Sequence, residues 1–166
     1  MRAYSLAAAA LEGTVGHDGT ELTARLGEAL ATKLVGMLRC RRHYFSAKRG
    51  GSLHAVDMFF AHSNLDQSHA DAIGDRMVQL GAQPDFSPAS IGASSHIPFV
   101  PRYGEVADMA SDDLEAAIRT EAILNDLVHY VGADDEATKR LLNSILAADR
   151  IRGKQLTTLI KSLRKT

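Results

Sequence analysis

Three polar side chains with metal-binding chemistry lie close together in the second quarter of the sequence. His62, Asp66 and His69 are separated by four residues and then by three. In a helix, this spacing places all three side chains on one face. An aspartate three residues before a histidine offers a carboxylate oxygen and an imidazole nitrogen together, and iron and zinc accept both ligands in proteins. The pattern indicates a candidate metal site, although polar helix faces commonly carry such a pair without any metal.

Four helices are predicted to position these residues. Apolar residues recur at helical spacing over residues 22–48, 53–80, 106–131 and 136–163. Turn signals separate the first helix from the second and the third from the fourth, and Asp134 or Asp135 is expected to cap the fourth helix. All the prolines fall between residues 82 and 105, in a stretch rich in serine and glycine. This stretch is predicted to be an extended loop.

Two short connections and one long crossover define an all-α four-helix bundle in which the second and third helices run parallel. The bundle is expected to occupy residues 21–165, with the crossover at about 82–105 and an N-terminal arm at 1–20. The arm lacks the length and apolarity of a secretory signal.

Composition narrows the class of protein. The chain has 166 residues and a formal net charge of −1, which fits one soluble domain and argues against a protein built mainly to bind nucleic acid. No apolar run is long enough to span a membrane. Cys40 is the single cysteine, which excludes an intrachain disulfide and fits a cytoplasmic location.

Four motifs in order along the chain resemble bacterioferritin-related proteins of the ferritin-like superfamily. The first helix carries LRCRRHYF at 38–45, and the second carries DQSHAD at 66–71. The segment QLGAQP at 79–84 resembles the family's entry into the crossover, and HYVG at 129–132 resembles the end of its third helix. The resemblance spans about residues 22–160 and implies a ferritin-like four-helix bundle.

The resemblance also implies a buried di-iron site. The family supplies a glutamate from each of two helices and a Glu-x-x-His from each of the other two. The matching positions in this chain are Lys33, Asp66, His69, Ala117, Asp149 and Arg152. Only Asp66, His69 and Asp149 could still bind a metal, whereas Lys33 and Arg152 are positively charged. The di-iron site is therefore expected to be degenerate.

Charge balance suggests what replaces the metal. Lys33 and Arg152 together neutralise Asp66 and Asp149 with no ion present, and buried charges must be paired. We therefore expect an ion-pair cluster in the bundle centre. The alternative is that Lys33 reaches out of the core and leaves Asp66 and His69 to bind iron or another divalent metal. Glu121, one helical turn beyond Ala117, could then supply an acid at a displaced site.

A second metal hypothesis concerns a subunit boundary. Mini-ferritins of the Dps type bind metal between subunits through histidines near the first turn and acids further along the second helix. His43, His54, Asp71 and Asp75 roughly follow that order, with spacings that differ by one or two residues. Solvated surface residues explain them equally well.

Haem and DNA are the remaining ligands suggested by the resemblance. The bacterioferritin haem ligand is a methionine directly after the second-helix acid, where this chain has Gln67, so haem is not expected. Met58 and Met77 are expected to fill the core. Dps-type proteins can bind DNA through basic tails, and weak DNA binding is conceivable through Arg150, Arg152, Lys154, Lys161, Arg164 and Lys165.

The resemblance implies a role in iron storage or oxidative-stress protection. We expect a shell subunit with an inactive or modified ferroxidase centre, which could assemble with an active paralogue. The alternatives are an iron-oxidising mini-ferritin that uses a displaced site and a DNA-coating shell. The 14 residues after Arg152 leave no room for the fifth helix of large bacterioferritin cages, which favours a dimer or a dodecamer. The family dimer packs along the first two helices.

Overall fold

The chain folds into helices joined by short turns and one crossover. A computed structural model describes residues 19–50, 52–100 and 104–164, and in these residues it contains no strand. The helices are α1 Gly19–Ala47, α2 Leu53–Gln79, α3 Pro88–Ser94, α4 Val106–Val131 and α5 Glu136–Leu163. The predicted all-α bundle is confirmed, with α1, α2, α4 and α5 as its four long helices. Most of the proposed N-terminal arm, residues 1–18, lies outside the described residues.

Two apolar clusters fill the bundle at different heights. The larger cluster includes Leu26, Ile73, Leu124 and Leu142, and Met77 packs within it. The second cluster lies nearer the other end of the helices and includes Met58, Phe59, Met109 and Leu156. Both methionines therefore fill the core, as the sequence suggests. Between the clusters, the same four helices bury charged residues instead of apolar ones.

The crossover contains a short helix that the sequence analysis did not predict. Residues 82–105 were expected to be an extended loop, and that prediction is wrong for Pro88–Ser94, which forms α3. Ser87 caps α3 by accepting a hydrogen bond from the Ser90 backbone N–H, and Pro88 follows at the first helical position. Proline is well suited there because its fixed φ matches the helix and its missing N–H needs no partner.

Two polar side chains of α1, Arg39 and Thr32, hold the crossover against the bundle. Arg39 donates hydrogen bonds to the Pro98 carbonyl oxygen at 2.7 Å and to the Asp112 carbonyl oxygen at 2.8 Å. The Thr32 hydroxyl accepts a hydrogen bond from the His96 backbone N–H. These contacts fix the path of the crossover relative to the buried polar layer.

Several apolar residues that follow the helical spacing lie on the surface. Leu38, Phe60, Ile118 and Ile151 are all exposed. The helical period therefore identifies the helices correctly but does not identify which apolar residues enter the core. Within the described part of the chain, no helix combines the length and apolarity needed to cross a membrane.

Asp135 ties the start of α5 to the end of α2. Its carboxylate accepts hydrogen bonds from the Thr138 backbone N–H, at 2.9 Å, and from the Thr138 hydroxyl. The same carboxylate binds Arg76 at 2.8 Å. The cap predicted at Asp134 or Asp135 is therefore Asp135.

We predict that Asp135→Ala lowers the free energy of unfolding by about 1–3 kcal/mol, because both the helix cap and a partly buried ion pair are lost. Urea denaturation followed by circular dichroism measures this change. Asp134→Ala is the matched control, since Asp134 is exposed and does not cap the helix. Equal effects of the two substitutions would show that the cap contributes nothing.

Candidate functional site

The centre of the bundle is occupied by a lysine held between two aspartates. Lys33 Nζ lies 2.6 Å from Asp149 Oδ2, 2.8 Å from Asp149 Oδ1 and 3.2 Å from Asp66 Oδ1. Lys33 is 2% exposed, so its ammonium group does not reach solvent. These three residues come from α1, α2 and α5, and the structure places them together in the layer between the two apolar clusters.

Arg152 completes the pairing of Asp66. Arg152 Nη1 donates a hydrogen bond to Asp66 Oδ2 at 2.6 Å, while the other oxygen of this carboxylate faces Lys33. Gly36 on α1 makes the close approach possible, because a Cβ atom at Gly36 would lie 2.6 Å from Asp66 Oδ2. A side chain at position 36 would therefore displace the carboxylate.

The network continues through residues that the sequence analysis did not assign to the site. Arg152 Nη2 lies 3.2 Å from Cys40 Sγ, and Cys40 Sγ lies 3.4 Å from Asp113 Oδ2. His43 Nδ1 lies 2.9 Å from the same Asp113 oxygen. Arg39 Nε lies 3.5 Å from Asp113 Oδ1. The result is a continuous buried chain of polar contacts from Asp149 to His43.

The charges in this chain cancel without a metal ion. The cations Lys33, Arg39 and Arg152 are matched in number by the carboxylates of Asp66, Asp113 and Asp149, all of them buried. Burial by itself destabilises each charged form, so such groups persist only when they are paired and hydrogen-bonded. Each of these charges has an oppositely charged partner, while Arg39 Nε, Asp113 Oδ1 and Arg152 Nε form no hydrogen bond within the described residues.

The pKa values of the network follow from the balance between burial and pairing. Burial raises the pKa of Asp66, but the charges of Arg152 and Lys33 outweigh it and leave that pKa below its usual value. Burial likewise raises the pKa of Asp113, and contacts with His43, Arg152 and Arg39 lower it further than burial raises it. Both carboxylates are thus held ionised.

Arg152 and Cys40 connect Asp66 to Asp113, and both are held in their ordinary protonated forms. Burial raises the pKa of the Cys40 thiol well above its usual value, and the charge of Asp113 raises it further. Burial lowers the pKa of Arg152, but the surrounding negative charges give a net increase. Cys40 therefore acts as a neutral hydrogen-bonding group.

His69 completes a group that could hold a metal. Asp66, His69 and Asp149 each offer one ligand atom, and these atoms all lie within 4.8 Å of one another. No other such group is present in residues 19–50, 52–100 and 104–164. Lys33 contacts two of these residues directly, so an ion at this place would meet its ammonium group. Burial and the charge of Lys33 both lower the pKa of His69.

Ala117 and Glu121 lie beside the network without entering it. Together with Asp149 they line a groove of about 630 Å³ between α4 and α5. The Glu121 carboxylate accepts a hydrogen bond from Arg150 Nε at 2.7 Å and belongs to no metal-binding group with Asp66 and His69. The displaced site that would use Glu121 is therefore not assembled in this structure.

His62 shares the predicted helix face but has a different partner. It is buried, and its Nε2 lies 2.9 Å from Gln155 Oε1. Gln67, the position of the haem ligand in bacterioferritins, is exposed on the neighbouring face.

The residues proposed for a subunit-boundary site are not grouped within one chain. His54, Asp71 and Asp75 are exposed on α2, whereas His43 is 1% exposed and bonded to Asp113. Within the described residues, His43 belongs instead to the buried polar network.

Two network residues that the sequence analysis missed, Asp113 and Cys40, lie at helical intervals from positions that it did predict. Asp113 lies four residues before Ala117 on the same face of α4, and Cys40 lies seven residues after Lys33 on α1. Polar residues at these intervals share a face with the central positions. However, the helical spacing alone does not show which polar residues are buried.

Comparisons with known proteins agree with this architecture. The family model described as a ferritin-like domain matches residues 28–166, and the chain belongs to that family. The match supports a ferritin-like protein of the iron-storage type. No curated protein shows significant sequence similarity to the chain.

Among solved structures, one similar protein is the bacterioferritin-related protein from Bacteroides fragilis, described as a dodecameric thioferritin. The two structures superpose with a TM-score of 0.86 over 97% of this chain and 95% of the other, at 16% sequence identity. At that identity the likeness concerns the fold alone.

We predict that stability falls steeply in acid because Asp66 and Asp113 have lowered pKa values in the folded protein. A carboxyl group with a lowered folded pKa stabilises the protein above its unfolded pKa of about 4, and this contribution is lost as the pH falls through the folded value. Urea denaturation over a pH series measures the effect. Asp113→Asn should show a shallower acid dependence than the unmodified chain. Identical profiles would contradict the role of Asp113.

Proposed function

We propose that this chain is a shell subunit of a ferritin-like, iron-storing assembly whose own ferroxidase centre is inactive. The observation that carries the proposal is the position of Lys33 Nζ, 2.6 Å from Asp149 and 3.2 Å from Asp66. In the family these positions belong to a site that binds two iron ions. Here an ammonium group occupies the space between the two carboxylates that remain.

Electrostatics explains why ferrous iron is excluded. Each retained carboxylate already has a cationic partner, Lys33 for Asp149 and Arg152 for Asp66. A divalent ion would have to displace these buried cations, whose removal leaves other charges unpaired. The two buried cations at the site, Lys33 and Arg152, would also repel it. Iron that enters such a shell would therefore be oxidised elsewhere, which supports co-assembly with a ferroxidase-active paralogue.

The surface of α1 and α2 supports assembly. Leu38, Phe45 and Phe60 are exposed there, and Tyr44 lies between the two aromatic residues with ring centroids 4.9 Å from Phe45 and 5.0 Å from Phe60. Exposed apolar patches commonly mark protein contacts. We propose that this patch packs against a second ferritin-like subunit, in a dimer or a dodecamer.

A second candidate function is iron oxidation at a single-metal site. It is favoured by the grouping of Asp66, His69 and Asp149 within 4.8 Å. Three ligands from one carboxylate pair and one imidazole suit iron or zinc. This function requires Lys33 to leave its position between Asp66 and Asp149.

DNA coating has less support than either iron-related role. Two of the six basic residues proposed for it already have acidic partners: Arg152 is paired with Asp66 inside the bundle, and Arg150 is paired with Glu121 on the surface. Lys154, Lys161 and Arg164 remain exposed among the described residues, and Lys165 lies outside them. The remaining positive charge is small for phosphate binding.

Ferrous oxidation by the purified protein tests the proposal. We predict that oxygen or peroxide oxidises ferrous iron no faster with the protein than in buffer, because Lys33 and Arg152 exclude the ion. Elemental analysis of the same sample should find no tightly bound iron. Fast oxidation with about one metal per subunit would contradict the proposal and support the second candidate, and loss of that rate in Asp66→Asn would locate the site.

A reconstructed site provides the positive control. Lys33→Glu, Ala117→Glu and Arg152→His together restore the family's ligand types at all three altered positions. We expect this variant to bind up to about two metal ions per subunit. If it folds and binds none, the assignment of these positions to the degenerate site is wrong.

A further inference from the structure

A groove between α2 and α5 lies outside the charge network. Its volume is about 510 Å³, within the usual size range of small-molecule sites. Met58 and Ala61 from α2 and Ile151 from α5 form its apolar lining. Ile151 is 59% exposed, so an apolar molecule that covered it would remove hydrophobic surface from water.

A buried histidine lines this groove and is bonded to an exposed glutamine. His62 is 3% exposed and its Nε2 lies 2.9 Å from Gln155 Oε1. Burial and the charge of Arg152 lower the pKa of His62, so its imidazole is neutral near pH 7. With its carbonyl oxygen facing the ring, Gln155 pairs with the tautomer of His62 that carries the proton on Nε2. Gln155 is exposed, and an oxygen of a ligand could replace its carbonyl.

A positive charge also lines the groove. Lys154 lines the groove next to Gln155, and its ammonium group makes no ion pair with any residue in the described ranges. The negative charge in the groove is Asp57, five residues before His62 on α2. At 1.5 Å per residue it is displaced by about 7.5 Å along the helix axis. The groove therefore combines a buried imidazole and an exposed ammonium group with an apolar lining.

We propose that this groove binds an amphiphilic carboxylate. The carboxylate accepts a hydrogen bond from His62 Nε2 in place of Gln155 and pairs with Lys154. The apolar part of the ligand lies against Met58, Ala61 and Ile151. None of the residues lining the groove forms a hydrogen bond or ion pair with Lys33, Asp66 or Asp149 among the described residues.

Titration of the full-length protein with octanoate, followed by NMR, tests this proposal. We expect saturable shifts confined to the methyl groups of Met58, Ala61 and Ile151, together with a shift of the His62 ring. Lys154→Gln should weaken binding about fivefold, which corresponds to roughly 1 kcal/mol. Lys161→Gln, the same change on α5 outside this groove, should leave the affinity unchanged.

Octan-1-ol separates the two parts of the proposal, since it has the same apolar chain without the charge. It should bind more weakly than octanoate. Equal affinity of the alcohol and the carboxylate would overturn the assignment of His62 and Lys154. Absence of saturable shifts, or shifts in residues away from the groove, would overturn the site itself. Both variants change exposed lysines, so loss of folding does not obscure the result.

Discussion

The buried ammonium group of Lys33 between Asp66 and Asp149 is the interaction on which the centre of this structure depends. It brings α1, α2 and α5 together at one point, with contacts of 2.6 Å and 3.2 Å. Without a cation there, two carboxylates would face each other in a layer closed above and below by apolar clusters. Asp66 would keep Arg152 as its partner, but Asp149 would lose the cation that pairs with it, at a cost of several kcal/mol.

The surrounding network shows how that constraint is met. Arg152 shares Asp66 with Lys33 and reaches Cys40, while Asp113 is paired with His43 and Arg39. Gly36 keeps the space that the Asp66 carboxylate occupies. Under the proposed function, Lys33 and Arg152 supply the positive charge that metal ions would supply in an intact di-iron site of the family.

Much of the fold could be predicted from the sequence, and less of the site. The apolar period gave the bounds of Val106–Val131 and Glu136–Leu163 because turns flank both helices. The helix Pro88–Ser94 was missed because it has no buried residues and therefore no apolar period. The resemblance located Lys33 and Arg152, but Asp113 and Cys40 were not found. Their role depends on contacts between helices, which no spacing within one helix reveals.

The interaction between Lys33 and Asp149 is tested most directly by a double-mutant cycle on the free energy of unfolding, measured in a chelating buffer. Lys33→Met and Asp149→Asn are made separately and together. Because each single change leaves a buried charge unpaired, we predict that Lys33→Met lowers the free energy of unfolding by about 3–5 kcal/mol. We predict that the double variant is more stable than the sum of the two single losses implies, with a coupling energy of roughly 1–3 kcal/mol. Additive effects, with no coupling between the two positions, would contradict a direct interaction between Lys33 and Asp149.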